Sequence, residues 1–151
     1  MRLLVGTLEG YKLDSKGRLS IPTKWRERLG KEFYMVAVTV RGCKCLTLYP
    51  EEQFSATYEA TQNGTENEKY DAITSLFDNA EEAVLDSQGR FTVNQRLKDE
   101  ALLSNDTTVV FKGKGKFIEI WNTEEYDKFY NSYDHSLGMY DMMDKLKGNR
   151  E

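Results

Sequence analysis

The chain repeats itself, and no other feature limits its fold as tightly. Displaced by 72 residues, Leu13-Asp14-Ser15-Lys16-Gly17-Arg18-Leu19-Ser20-Ile21 falls on Leu85-Asp86-Ser87-Gln88-Gly89-Arg90-Phe91-Thr92-Val93. Five of these nine positions are identical, and the last three exchange conservatively. The same offset, without a gap, sets Val36-Ala37-Val38 on Thr108-Val109-Val110, Cys45–Tyr49 on Phe117–Trp121, and Glu52 on Glu124. A register held from the glycines to the aromatics marks a tandem duplication, so each half must build the same unit.

Within each unit a short strand runs into a tight Asp-Ser-Lys/Gln-Gly turn. There the aspartate accepts hydrogen bonds from its own backbone and the glycine permits positive φ. Alternation over Arg18–Ile21 and Arg90–Val93 predicts a second strand. A short helix follows, with Pro22 near the first turn of the one carrying Trp25 and Leu29, and Asn94 as N-cap of the one carrying Leu97 and Ala101. Two longer strands complete each unit, 33–41 with 45–49 and 107–113 with 116–121, the second pair turning at Gly113-Lys114-Gly115. Between the units, Glu51–Thr61 and Glu68–Ala80 read as helices, the second with Ile73, Leu76, Phe77 and Ala80 on one face. After them, Thr123 is expected to cap a helix carrying Tyr126, Phe129 and Tyr130. In the tail, Met139, Met142, Met143 and Leu146 form an apolar stripe suited to packing on the body or on a neighbouring subunit.

These elements predict a mixed β/α, mainly β chain of two tandem ββαββ-type modules at 5–51 and 82–125, with a helical connector at 52–81 and a helical tail at 126–151. Modules of about 50 residues bury too little surface to stand alone, so they should lean on each other or on other subunits. No apolar run approaches membrane length, and the N-terminal residues are soon too polar for a secretory signal, which makes the cytoplasm the expected compartment.

The net charge of −4 argues at first against a nucleic-acid partner, but the charge is unevenly spread. Residues 12–31 hold seven basic and two acidic groups, whereas residues 51–82 hold nine acidic groups and one lysine. A basic face therefore coexists with acidic connecting helices. The planar fork of an arginine suits phosphate oxygens and guanine edges, and Lys16 and Arg18, on alternate positions, are expected to point toward one groove. Arg18 and Arg90 can also pair with Asp14 and Asp86 to hold their turns.

The D-x-x-G-R-x-x-x-P pattern from Asp14 to Pro22 resembles the swapped-hairpin AbrB family of bacterial regulators. Its recurrence, with each copy closing on an aliphatic–aromatic strand (Leu46-Thr47-Leu48-Tyr49 and Ile118-Glu119-Ile120-Trp121), is similar to the MraZ family of transcriptional regulators over residues 5–130. The resemblance implies two SpoVT/AbrB-like domains in a pseudo-symmetric, double-barrel-like unit. It further implies a ring-shaped homo-oligomer that binds short direct repeats in double-stranded DNA upstream of the cell-division and cell-wall gene cluster, and hence association with the nucleoid. Basic residues around the turn contact DNA in that family. By position these are Lys12, Lys16, Arg18 and Arg26 in the first copy and Arg90, Arg96 and Lys98 in the second, with Asp14, Gly17, Asp86 and Gly89 shaping the turns. The second copy departs from the pattern: Asn94 stands for Pro22, Gln88 for Lys16 and Val84 for Lys12, which predicts a weaker reader.

Other classes find less support. The sequence has no G-x-S-x-G, H-E-x-x-H, phosphate-loop or C-x-x-C pattern, so neither an enzyme nor a cofactor is expected. Cys43 and Cys45 share one strand face, where a disulfide is unfavourable, and the single histidine, His135, is far along the chain. A metal site is therefore not expected; the cysteines read as half-buried strand residues and His135 as solvated. An oligomeric protein-interaction scaffold that restrains a partner enzyme is the main alternative, resting on the acidic middle and the Met-rich tail. An antitoxin uses related folds, but the double module and the absence of an obvious toxin-wrapping tail argue against it.

Overall fold

In the computed structural model, which describes residues 2–148, the two copies interlock strand by strand. The chain runs β1 (Leu4–Lys12), β2 (Arg18–Ser20), α1 (Thr23–Leu29), β3 (Glu32–Val40), β4 (Cys43–Pro50), α2 (Glu51–Ala60) and α3 (Glu66–Asp78). It continues through β5 (Ala80–Val84), β6 (Arg90–Thr92), α4 (Gln95–Glu100), β7 (Thr108–Gly115), β8 (Ile118–Asn122), α5 (Thr123–Tyr130) and α6 (Met139–Gly148). Six strands form one sheet in the order β1-β7-β8-β4-β3-β5, and β2 pairs with β6 in a separate ribbon. Replacing every strand by its repeat counterpart reverses that order onto itself, which is the pseudo-symmetry the duplication requires.

The outer strands are exchanged. β1 of the first copy lies antiparallel to β7 of the second, and β5 of the second lies antiparallel to β3 of the first. One hydrophobic core therefore draws on both copies, with counterparts such as Leu13 and Leu85, Leu19 and Phe91, Trp25 and Leu97, and Leu48 and Ile120 all buried in it. Neither copy could bury these residues alone, and sharing the sheet resolves the shortage of surface that modules of this size face.

The other face of the sheet carries smaller clusters under α2 and α5. Phe54 of α2 stacks on Tyr34 at 4.0 Å. On the second half, Trp121 stacks on Phe129 of α5 at 4.8 Å, beside Cys43, Cys45 and Val110. Both cysteines are buried and free, deeper than the half-buried positions expected, and burial pushes the Cys45 thiol up from its ordinary range. Glu125 of α5, also buried, accepts a hydrogen bond from the Lys44 amide at 3.0 Å and pairs with Lys128 at 3.1 Å.

Several local expectations shift. The helix expected at Glu68 begins at Glu66, because Thr65 caps it: Thr65 Oγ1 accepts from the Glu68 amide at 3.2 Å while Glu68 Oε1 accepts from the Thr65 amide at 2.8 Å. It ends at Asp78 because Ala80 joins β5. Asn122 caps α5 in place of Thr123, whose hydroxyl bonds to the Thr108 carbonyl. The second hairpin turns after Gly115, not at Gly113. Gly113 lies within β7 opposite Gly6, where a Cβ would meet the backbone of Leu4 and Val5 at 2.7 Å. Close strand approach, not turning, explains that glycine. His135 stacks on Tyr130 with ring centroids 3.6 Å apart and hydrogen-bonds the Tyr130 carbonyl, so it is partnered within the tail. The Met stripe of α6 is uncovered: Met139, Met142, Met143 and Leu146 are all exposed on the single chain. Residues 149–151 of the expected tail lie outside the described residues.

Candidate nucleic-acid interface

Each turn is built from its own residues. In the first, Asp14 Oδ1 accepts from the amides of Lys16 and Arg18, both at 2.9 Å, and Asp14 Oδ2 accepts from Arg18 Nε at 2.7 Å. In the second, Asp86 Oδ1 accepts from the amides of Gln88 (2.8 Å) and Arg90 (2.9 Å), and Oδ2 from Arg90 Nε at 3.0 Å. The Arg18 amide, with the arginine side chain and the Lys16 amide, holds the Asp14 carboxyl below its ordinary range; Arg90 and Gln88 do the same for Asp86. Gly17 and Gly89 close the turns at φ of 74° and 75°. Both arginines thus hold their turns, and the pairing is equally developed in the two copies. Because the bonds run through Nε, the terminal nitrogens of each guanidinium stay available as donors.

The turns are joined by the β2–β6 ribbon. Leu19 faces Phe91 across it, and both side chains enter the core. By the two-residue period of a strand, Arg18, Ser20, Arg90 and Thr92 project from the opposite face, Arg18 paired with Thr92 and Ser20 with Arg90. The ladder runs on into the turns, since the Ile21 amide donates to the Gly89 carbonyl and the Val93 amide to the Gly17 carbonyl, both at 2.9 Å. Each turn is thereby seated at the start of the other copy's helix.

The remaining candidates divide by location. Lys12, Lys16 and Arg96 are exposed on β1, in the first turn and on α4. Arg26 is half-buried: its Nε donates to the Ile21 carbonyl at 2.8 Å, and its guanidinium carbon comes within 2.3 Å of where a Cβ on Gly89 would stand. Lys98 turns inward and is 8% exposed, its Nζ donating to Asn105 Oδ1 at 2.9 Å and lying 3.0 Å from the Cβ position of Gly17. Asn105 Nδ2 in turn donates to the Ser15 carbonyl at 2.9 Å. Sequence reading passed over Asn105, for which no local signal exists. It also passed over Ser20 and Thr92, which the alternation around Leu19 and Phe91 would have placed on the outer face. Arg28 pairs with Glu52 at 2.7 Å, which ties one basic side chain to the acidic connector.

Among the described residues, no helix is long and apolar enough to cross a membrane, and no cluster of three or more His, Cys, Asp or Glu has the arrangement of a metal site. The family model described as "MraZ protein, putative antitoxin-like" matches the chain twice, over residues 4–74 and 76–143. A "Transcriptional regulator MraZ" of Alkaliphilus oremlandii is 33% identical over 128 residues, 83% of this chain and 85% of its own. A protein of the same name from Finegoldia magna is 31% identical over 90% of this chain and 92% of its own. Another from Lachnoclostridium phytofermentans is 34% identical over 89% and 91%. The duplicated turn, the interlocked sheet and these matches along both copies agree: the chain belongs to the MraZ family.

Proposed function

We propose that this protein is a sequence-specific, DNA-binding transcriptional regulator, with no enzymatic role. It reads short direct repeats in double-stranded DNA upstream of a cell-division and cell-wall gene cluster, and works on the nucleoid in the cytoplasm. The observation that carries the reading is the β2–β6 ribbon, whose outer face presents Arg18, Ser20, Thr92 and Arg90 between two arginine-held turns. The major groove of DNA admits a two-stranded ribbon, and arginine is the side chain best shaped to read a guanine edge while its neighbours hold phosphate. The names of the relatives support the same role.

The working form is a ring of several copies. The uncovered Met139, Met142, Met143 and Leu146 face on α6 supports a contact with another subunit. A single ribbon carries few charges, and repeating it around a ring raises its effective concentration on repeated boxes.

The test is a duplex titration across salt concentrations, with native mass measured alongside. Binding to the direct-repeat DNA is expected to weaken steeply as salt rises, with a closed assembly of several subunits and poorer binding to scrambled repeats. A monomer at micromolar concentration would overturn the ring. An intact ring with no duplex affinity would overturn the DNA reading and favour the scaffold.

A further inference from the structure

We infer that each turn is a composite of the two halves of the chain, Arg26 serving the second turn and Lys98 the first. In sequence each lies close to the other turn, Arg26 eight residues after Arg18 and Lys98 eight after Arg90. The two are repeat counterparts, and antiparallel pairing of β2 with β6 sends each across to the opposite copy. The same crossing occurs twice, with different side chains, so it follows from the fold and not from one accidental contact.

The two crossings do different work. Lys98 is buried and its ammonium is held by Asn105, which also fastens the Ser15 carbonyl. It is a positioning residue: through Asn105 it fixes the backbone of the turn that carries Lys16 and Arg18. Arg26 stays half-buried, anchored through Nε to the Ile21 carbonyl with its guanidinium against Gly89. It places a cation beside the turn in which Gln88 occupies the position of Lys16. The second turn is therefore less poor in charge than its own sequence indicates, because it borrows an arginine from the first copy. Across the molecule, each DNA-facing turn is complete only when the other half is folded against it.

This rests on the DNA reading above, and the experiment keeps the two separable. Hydrogen exchange by mass spectrometry is measured on the intact assembly for Arg26→Ala and Lys98→Met. Arg26→Ala is expected to raise exchange in residues 86–90 and Lys98→Met in residues 14–18; the reverse assignment overturns the inference. This readout needs no DNA, so a protein that binds no duplex refutes the regulator and still decides the crossing. On DNA, Arg26→Ala combined with Arg90→Ala is expected to show coupling of at least about threefold in affinity, while combination with Arg18→Ala is additive. Coupling to Arg18 alone overturns the inference. Arg26→Ala lowers the salt slope by about one and Arg26→Lys restores it, whereas Lys98→Met weakens binding with the slope unchanged. An unchanged slope for Arg26→Ala removes the phosphate role from Arg26. If Arg26→Ala fails to fold, Arg26→Gln carries the same readings.

Discussion

Asp14 meets Arg18 at 2.7 Å and Asp86 meets Arg90 at 3.0 Å, with matching pairs of amide bonds inside each turn. Outside those bonds the turns differ. The first is flanked by exposed Lys12 and Lys16 and backed by a buried ammonium on Asn105. The second has Val84 and Gln88 at the corresponding places and a guanidinium pressed on its glycine. Duplication preserved the turn as a machine of backbone and aspartate, while the surrounding charges were free to diverge. The bonds inside each turn and the charges flanking it are thus separable properties here, and each can be broken alone.

The largest difference is expected in DNA binding. With Lys12 and Lys16 proposed to draw phosphate to the first turn, Arg18→Ala should cost about 1–3 kcal/mol per engaged site. Multiplied over a ring, that loss approaches abolition of binding. Arg90→Ala should cost less, because Val84 and Gln88 stand where the first turn has Lys12 and Lys16, which predicts the weaker reader there. Titration of both variants on the same repeats, with native mass as the assembly control, measures the gap. Equal losses would mean that the halves read DNA alike; a larger loss for Arg90→Ala would reverse their order.

A smaller difference is expected in stability. An alanine at either glycine must adopt positive φ, at about 1–2 kcal/mol. At Gly89 the new Cβ would also displace the Arg26 guanidinium, 2.3 Å away, and strain its bond to Ile21. At Gly17 the nearest atom is the Lys98 ammonium at 3.0 Å, a milder approach. Gly89→Ala should therefore destabilise by about 1 kcal/mol more than Gly17→Ala, roughly one lost hydrogen bond, in denaturant midpoints. Identical midpoints would show that Arg26 leaves the turn without cost.

The smallest effect is one where the halves should agree. Both aspartates have lowered pKa values in the folded protein, so their ionised forms stabilise it above the ordinary aspartate range. That contribution disappears as pH falls through the lowered values. Asp14→Asn and Asp86→Asn should each lose stability at neutral pH, and each gap to the parent should close in acid over the same window. A gap that closes for one variant only would reveal that the turns are not electrostatically equivalent.

Much of this protein was legible from residue order alone. The Asp–Gly turns, the Arg–Asp bonds and the cap at Asn94 all involve partners within a few residues, and the duplication shows in the 72-residue offset itself. Over such distances, side-chain length and backbone geometry leave few alternatives. Even the apolar stripe of α6 follows from helical spacing, although its lack of cover on the single chain does not. Tertiary structure alone decided the exchange of β1 and β5 between copies, the role of Gly113 under β1, and the attachment of Asn105 to a carbonyl 90 residues away. It also sent Arg26 and Lys98 to the opposite turns. Periodicity specifies which face of an element is apolar but not which apolar face it will meet. With two nearly equivalent copies, pairing within a copy and pairing across copies satisfy the same local pattern. The shared core favours the crossed arrangement, because only there do both sets of apolar residues leave water together.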